Sequence, residues 1–251
     1  MSPFCALVLM ASLFDTPQSS NSIRRGTRGC KLRCVKMKVM QSNRWDAVVF
    51  DYGRVLSHAP SVAEIRELGE LVGVSEPPFF QLYSETRDEY DCGRHDFQQH
   101  WRRFADAAGI SLSSDQVQRV VGFETRMWLR VNPHALELAR EIKRGGVRTA
   151  ILSNMPADLL CELRKNFSWL DEFEVQIWSC EHGVIKPDPA IYRVCLGALG
   201  CEPQRTLFFD DRPRNVEGAR RAGMEAHVFE SAEQAAVIVR AGLDGRKISD
   251  D

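Results

Sequence analysis

The ten residues AVVFDYGRVL, from Ala47 to Leu56, read as a buried strand and the turn that closes it. Residues 47–50 form a continuous apolar run of strand length, and Asp51 and Gly53 are turn residues that end it. A run apolar on every position belongs to a strand covered on both faces, which is the environment of a parallel sheet. Similar short runs recur at 148–152, 175–178, 206–209 and 226–229. Helical spacing predicts helices at 133–144, 157–165, 189–199, 213–222 and 232–241. Strand and helix alternate, so a parallel sheet with helices on both faces is expected, with ligands at the carboxyl ends of its strands.

One interval breaks the alternation. Residues 61–130 read as helical throughout, with helices predicted at 62–72, 78–90, 97–108 and 115–130 and no buried strand among them. The expected architecture is a Rossmann-like α/β core over 45–60 and 131–251, with a helical cap over 61–130 inserted after the first strand. Phe79, Phe80, Tyr83, Trp101, Phe104 and Trp128 are expected to pack the cap helices together. Between Arg24 and Arg44 stand eight Lys or Arg and no acid, after an apolar run too short to span a bilayer. The positive charge follows that run instead of preceding it, which argues against a secretory signal. Residues 1–44 are therefore expected to be a disordered basic leader or the product of too early a start.

Composition narrows the function. With 44% hydrophobic and 27% charged residues and a net charge of −1, the chain can bury an ordinary core but has no global field to attract nucleic acid or an anionic membrane. Any pull on an anionic substrate must be local. The eight cysteines show no paired spacing, which fits reduced thiols in the cytoplasm better than a zinc cluster or a disulfide framework. His58, His95, His100, His134, His182 and His227 likewise lack ligand spacing.

Four segments close apolar runs with polar residues of a particular kind: Asp51–Arg54, Ser153–Asn154, Lys186–Pro189 and Asp210–Asp211. A carboxylate nucleophile, a hydroxyl with backbone amides, a lysine and an acidic pair together can hold a phosphoryl group and a hard cation, because phosphoryl transfer is mainly positioning and charge neutralisation. Mg²⁺ takes one or two carboxylates and leaves its other positions to water and phosphate. Two adjacent acids at a strand end repel unless a cation or a lysine sits nearby.

The ordered segments VVFDYGRVL, ILSNMP, VIKPDPAIY and FFDDRPRNVEGARRAGM resemble the four motifs of the haloacid dehalogenase-like hydrolase superfamily, over nearly the whole chain after Arg44. Residues 179–192 and 208–224 look especially like the subgroup that includes the sugar-phosphate phosphatases and the amino-terminal phosphatase domain of soluble epoxide hydrolase. The resemblance implies a Mg²⁺-dependent phosphatase of a small phosphorylated metabolite. In it Asp51 forms an aspartyl-phosphate, and Ser153 with the Asn154 amide binds phosphoryl oxygens. Lys186 offsets charge on the phosphate and on Asp51. The metal is held by Asp51, the carbonyl of Gly53 and Asp211, with Asp210 behind; the roles of the two adjacent acids are exchangeable.

Gly53 is a departure. Phosphatases of the superfamily carry there a second Asp that protonates the leaving group, a function that contributes about 10²–10⁴-fold. Arg54, Arg94 or His95 is expected to replace that acid in part or to bind the rest of the substrate, and substrates with good leaving groups, such as anomeric sugar phosphates or acyl phosphates, are favoured. Three other readings compete. A non-catalytic phosphate-binding protein is made credible by Gly53. A dehalogenase would have no need of Asp210 and Asp211. A receiver domain carries its acidic pair at the end of its first strand, whereas here the pair comes last of the four segments, an order that excludes it.

Overall fold

The computed structural model describes residues 43–75 and 78–243. The leader expected over 1–44 lies outside the described residues except for Asn43 and Arg44. Five strands form one all-parallel sheet: β1 (Ala47–Phe50), β2 (Arg148–Ser153), β3 (Val175–Trp178), β4 (Thr206–Asp210) and β5 (Glu225–Val228), in the order β3-β2-β1-β4-β5. The strands run to within a residue or two of the apolar runs that predict them.

Alternation of side chains along β1 divides the core. Val48 and Phe50 face one cluster and Ala47 and Val49 the other. The first is completed by α6 (Pro133–Arg144), α7 (Ala157–Asn166) and α11 (Ala232–Gly242), the second by α9 (Pro189–Leu199) and α10 (Pro213–Arg221), and the single turn α8 (Ser179–His182) follows β3. Every β1 side chain is fully buried, so each large one contributes about 1.5–3 kcal/mol to holding the central strand in place. The strand order reverses at β1, and the crevice between the ends of β1 and β4 is where such a sheet accepts ligands.

Between β1 and β2 the chain builds α1 (Val62–Val72), α2 (Pro78–Glu85), α3 (Asp88–Asp91), α4 (Phe97–Ala108) and α5 (Ser114–Trp128). Reciprocal capping boxes start three of them: Ser61 with Glu64, Asp96 with Gln99 and Ser113 with Gln116. The single helix expected over 78–90 is broken in two. Thr86 turns its carbonyl to the His100 ring (3.2 Å) and bonds its hydroxyl back to the Leu82 carbonyl (2.9 Å). The last helix stops at Trp128, because the chain from Arg130 to Asn132 pairs with Leu56 to His58 through an antiparallel bridge. That bridge ties together the two points at which the insertion leaves and rejoins the sheet.

Phe79, Tyr83, Trp101 and Phe104 are buried in the insertion's own apolar cluster, with Trp101 and Phe104 rings 5.1 Å apart. The expectation fails for Phe80. Its ring is 54% exposed and lines a cavity instead of packing among the helices, since its neighbour Phe79 takes the inward position on α2. Among the described residues no helix is long and apolar enough to cross a membrane.

Candidate active site

Asp51 leaves the central strand with its amide still in the ladder, donating to the Phe209 carbonyl (2.9 Å). Its carboxylate is thereby aimed into the crevice beside β4. The Oδ1 atom accepts from the Tyr52 amide (2.7 Å) and from Lys186 Nζ (2.8 Å). Lys186 is 1% exposed and shares its ammonium among Asp51, Asp210 Oδ2 (2.6 Å) and the Leu152 carbonyl (2.9 Å). The side chain of Asn154 clamps the Lys186 peptide from both sides: the Lys186 amide donates to Oδ1 (2.7 Å) and Nδ2 donates to the Lys186 carbonyl (3.0 Å). The expectation assigned only the Asn154 amide to the site, so this side-chain clamp is an addition.

Asp210 and Asp211 are adjacent but differently placed. Asp210 is fully buried, and its oxygens are taken by Lys186, the Arg212 amide (2.8 Å) and Asn215 Nδ2 (3.0 and 3.1 Å). Asp211 lines the cavity and pairs with Arg54 (3.1 Å). Carboxylate oxygens of Asp51, Asp210 and Asp211 lie within 4.8 Å of one another. The neighbouring Asn215 Oδ1 is buried without a hydrogen-bond partner among the described residues. An acceptor stranded beside three acids fits the second layer of a hydrated hard cation, whose water would donate to it.

Charge and burial act against each other here. Burial raises the Asp51 carboxyl to about 6; Lys186 pulls it down, and Asp210 and Asp211 push it up. Burial raises Asp211 as well, helped by Asp210 and opposed by Arg54. For Lys186, burial lowers the ammonium, yet Asp210 and Asp51 outweigh it and the net shift is upward. The lysine stays charged.

After Asp51 the chain makes a wide turn over Tyr52–Leu56, closed by the Ser57 amide on the Tyr52 carbonyl (2.8 Å). Arg54 adopts the left-handed conformation (φ 62°), which costs a side-chain-bearing residue about 1–2 kcal/mol. The conformation sets its guanidinium on Asp211. Gly53 keeps φ −65° and ψ 124°, and a Cβ there would meet the Trp128 ring at 3.5 Å.

Asp51, Gly53, Arg54, Ser153, Asn154, Lys186 and Asp211 all line one cavity of about 180 Å³. Arg94 and His95 do not: Arg94 pairs with Glu89 (2.9 Å) and reaches the Gly183 carbonyl. Their expected role at the substrate is therefore withdrawn. The far wall holds residues that sequence reading passed over, among them Tyr83, Arg87, Asp88 and Asp91. Helical i, i+4 spacing links Tyr83 to Arg87 and Arg87 to Asp91 and was a usable signal; Glu124, which completes the network, was not signalled.

The parallel Rossmann-like sheet thus reverses its order at the strand bearing Asp51, with a lysine bridging two acids at that point. A model of the haloacid dehalogenase-like hydrolases matches residues 41–223, and the chain belongs to that family. It is 32% identical over 133 residues to the bifunctional epoxide hydrolase 2 of Sus scrofa, covering 49% of this chain and 23% of the relative. The chain thus spans about a quarter of the length of that protein. It is 26% identical over 183 residues to a sesquiterpene phosphatase of Aspergillus oryzae, covering 71% of this chain and 86% of that one. The fold matches an enzyme of the same family from Bacteroides thetaiotaomicron, solved with magnesium and inorganic phosphate, with a TM-score of 0.58, 20% identity and coverage of 73% and 93% of the two chains.

Proposed function

We propose that the protein is a Mg²⁺-dependent phosphatase of a small phosphorylated metabolite, acting through an aspartyl-phosphate on Asp51. The observation that carries this reading is the single buried lysine shared between Asp51 and Asp210, with Asp211 on the open side of the same cavity. Asp51, Asp211 and the Gly53 carbonyl would hold the cation. Asp210, with both oxygens committed, would stand behind them. When bound, Mg²⁺ supplies charge neutralisation and orientation for the phosphoryl oxygens.

The residues of the chain do the rest. Lys186 leaves Asp51 a carboxylate near neutral pH although burial opposes its charge, and only the carboxylate can attack phosphorus. Attack forms the bond from an Asp51 oxygen to phosphorus as the bond to the ester oxygen breaks, that oxygen leaving with the electron pair and taking a proton from solvent; water then attacks phosphorus, the bond to Asp51 breaks, and phosphate and the free carboxylate result. Ser153, 3% exposed at the end of β2, would donate to a phosphoryl oxygen. Named phosphatases among the relatives support the chemistry, such as the phosphoserine phosphatase of Thermus thermophilus, 33% identical over 105 residues. A haloacid dehalogenase is the weaker reading, because attack on carbon needs no cation and leaves the acids at the end of β4 without a task.

A second reading rests on Gly53. No carboxylate stands two residues after Asp51, and the Trp128 ring borders the space where one would project. A phosphate-binding protein with weak or no turnover fits that feature. A screen of phosphorylated metabolites with and without Mg²⁺, run beside Asp51→Asn, separates the two. Metal-dependent release of phosphate that the substitution abolishes is the expected result; equal rates for both proteins would overturn the role given to Asp51.

A further inference from the structure

We propose that the leaving group of the substrate is uncharged and presents an apolar face, and that the site rejects substrates carrying a second anion. This rests on the phosphatase reading and concerns the part of the cavity remote from Asp51. Among the described residues Arg87 is the one cation that the helical insertion brings to the cavity wall. It is already neutralised. Its Nε and one terminal nitrogen bond Asp91 Oδ1 (3.1 and 2.8 Å), and the other bonds Glu124 and the Tyr83 hydroxyl (2.6 Å). The Arg87, Asp91 and Glu124 side chains are 13%, 11% and 6% exposed, so swinging the guanidinium to a ligand would strand two buried carboxylates.

The next charge along the wall is repulsive. Asp88 lines the cavity, is exposed, and forms no ion pair among the described residues. A carboxylate or second phosphate on the leaving group would meet, on this wall, Asp88 and the Arg87 network's acids with no free cation among them; Arg212, exposed and without an ion pair among the described residues, also lines the cavity but comes from the end of β4 beside Asp211. What the wall does offer is apolar surface: Ile65, Phe80, Met155, Leu159 and Trp128. Phe80 stands out, because a phenyl ring 54% exposed at the edge of a cavity gains from being covered by a ligand's apolar face.

The test separates selectivity from chemistry. Wild type with Mg²⁺ is assayed on phenyl phosphate, phosphoserine and fructose 1,6-bisphosphate, and binding of the same three esters to Asp51→Asn is measured by calorimetry. Phenyl phosphate is expected to lead in both. Phe80→Ala should lower kcat/KM for phenyl phosphate about tenfold, the scale of one lost apolar contact. Asp88→Lys, an exposed change, should raise the rate on the two anionic esters relative to phenyl phosphate about tenfold. Equal or better binding of the anionic esters by Asp51→Asn, no binding of any ester, or no shift of preference in either cavity-wall variant would overturn the inference. Absence of turnover with the binding order intact would remove the hydrolase reading, and with it the leaving group, and would leave only the preference of the cavity for an uncharged, apolar ester.

Discussion

Replacing Lys186 by Met isolates the interaction on which the site is built. The ammonium is 1% exposed and lies 2.8 Å from Asp51 and 2.6 Å from Asp210, so the substitution leaves two buried carboxylates facing each other with no counter-charge. Breaking a buried pair by removing one partner costs about 3–5 kcal/mol. For a folded unit of this size a kcal/mol moves Tm by roughly 2–4 °C, so Lys186→Met in chelator should melt about 10 °C below wild type. Met fills most of the volume of the lysine stem, which keeps the loss electrostatic. Asp210→Asn removes one of the stranded charges and should restore part of the stability, giving a coupling of about 1–3 kcal/mol in a double-mutant cycle measured by urea unfolding. Strict additivity, or a Lys186→Met variant as stable as wild type, would refute the shared-lysine account.

Three further outcomes follow from particular residues. Burial depresses His100 from 6.5 to about 3, so the unfolded chain takes up a proton below 6.5 that the folded chain does not; stability present above that pH is lost as pH falls toward 3, and His100→Gln should flatten this acid limb in pH-dependent unfolding. Gly53→Asp adds a carboxylate at a position whose backbone any residue can adopt and whose Cβ makes ordinary contact with Trp128; turnover of alkyl phosphates should rise by up to about 10²-fold, while p-nitrophenyl phosphate, which needs no acid, changes little. Arg54→Ala frees Asp211 from its guanidinium, so Mn²⁺ affinity followed by electron paramagnetic resonance should tighten several-fold, and unchanged affinity would count against Asp211 as a direct ligand.

The strands and most helices were legible because their signals are local. The apolar run before Asp51 predicts β1, and Pro133 and Pro189 at first helical positions announce α6 and α9. The break between α2 and α3 was not, since it depends on His100 from another helix drawing the Thr86 carbonyl out of line. At the site, strand-end acids and Lys186 were visible as residue types in a telling order. Hidden were the choice of Phe79 over Phe80 for the interior, the Asn154 clamp, and the burial of Arg87 against Glu124, all of which are set by how the insertion packs.

Trapping the phosphoryl group on Asp51 distinguishes covalent transfer through this carboxylate from every other route. Turnover mixtures quenched in acid and reduced with borohydride convert an aspartyl-phosphate to homoserine, which peptide mass spectrometry locates. The account predicts homoserine at position 51 alone, present with substrate and Mg²⁺ and absent without them. Sustained phosphate release with Asp51 unmodified throughout, or reduction at another carboxylate, would contradict it.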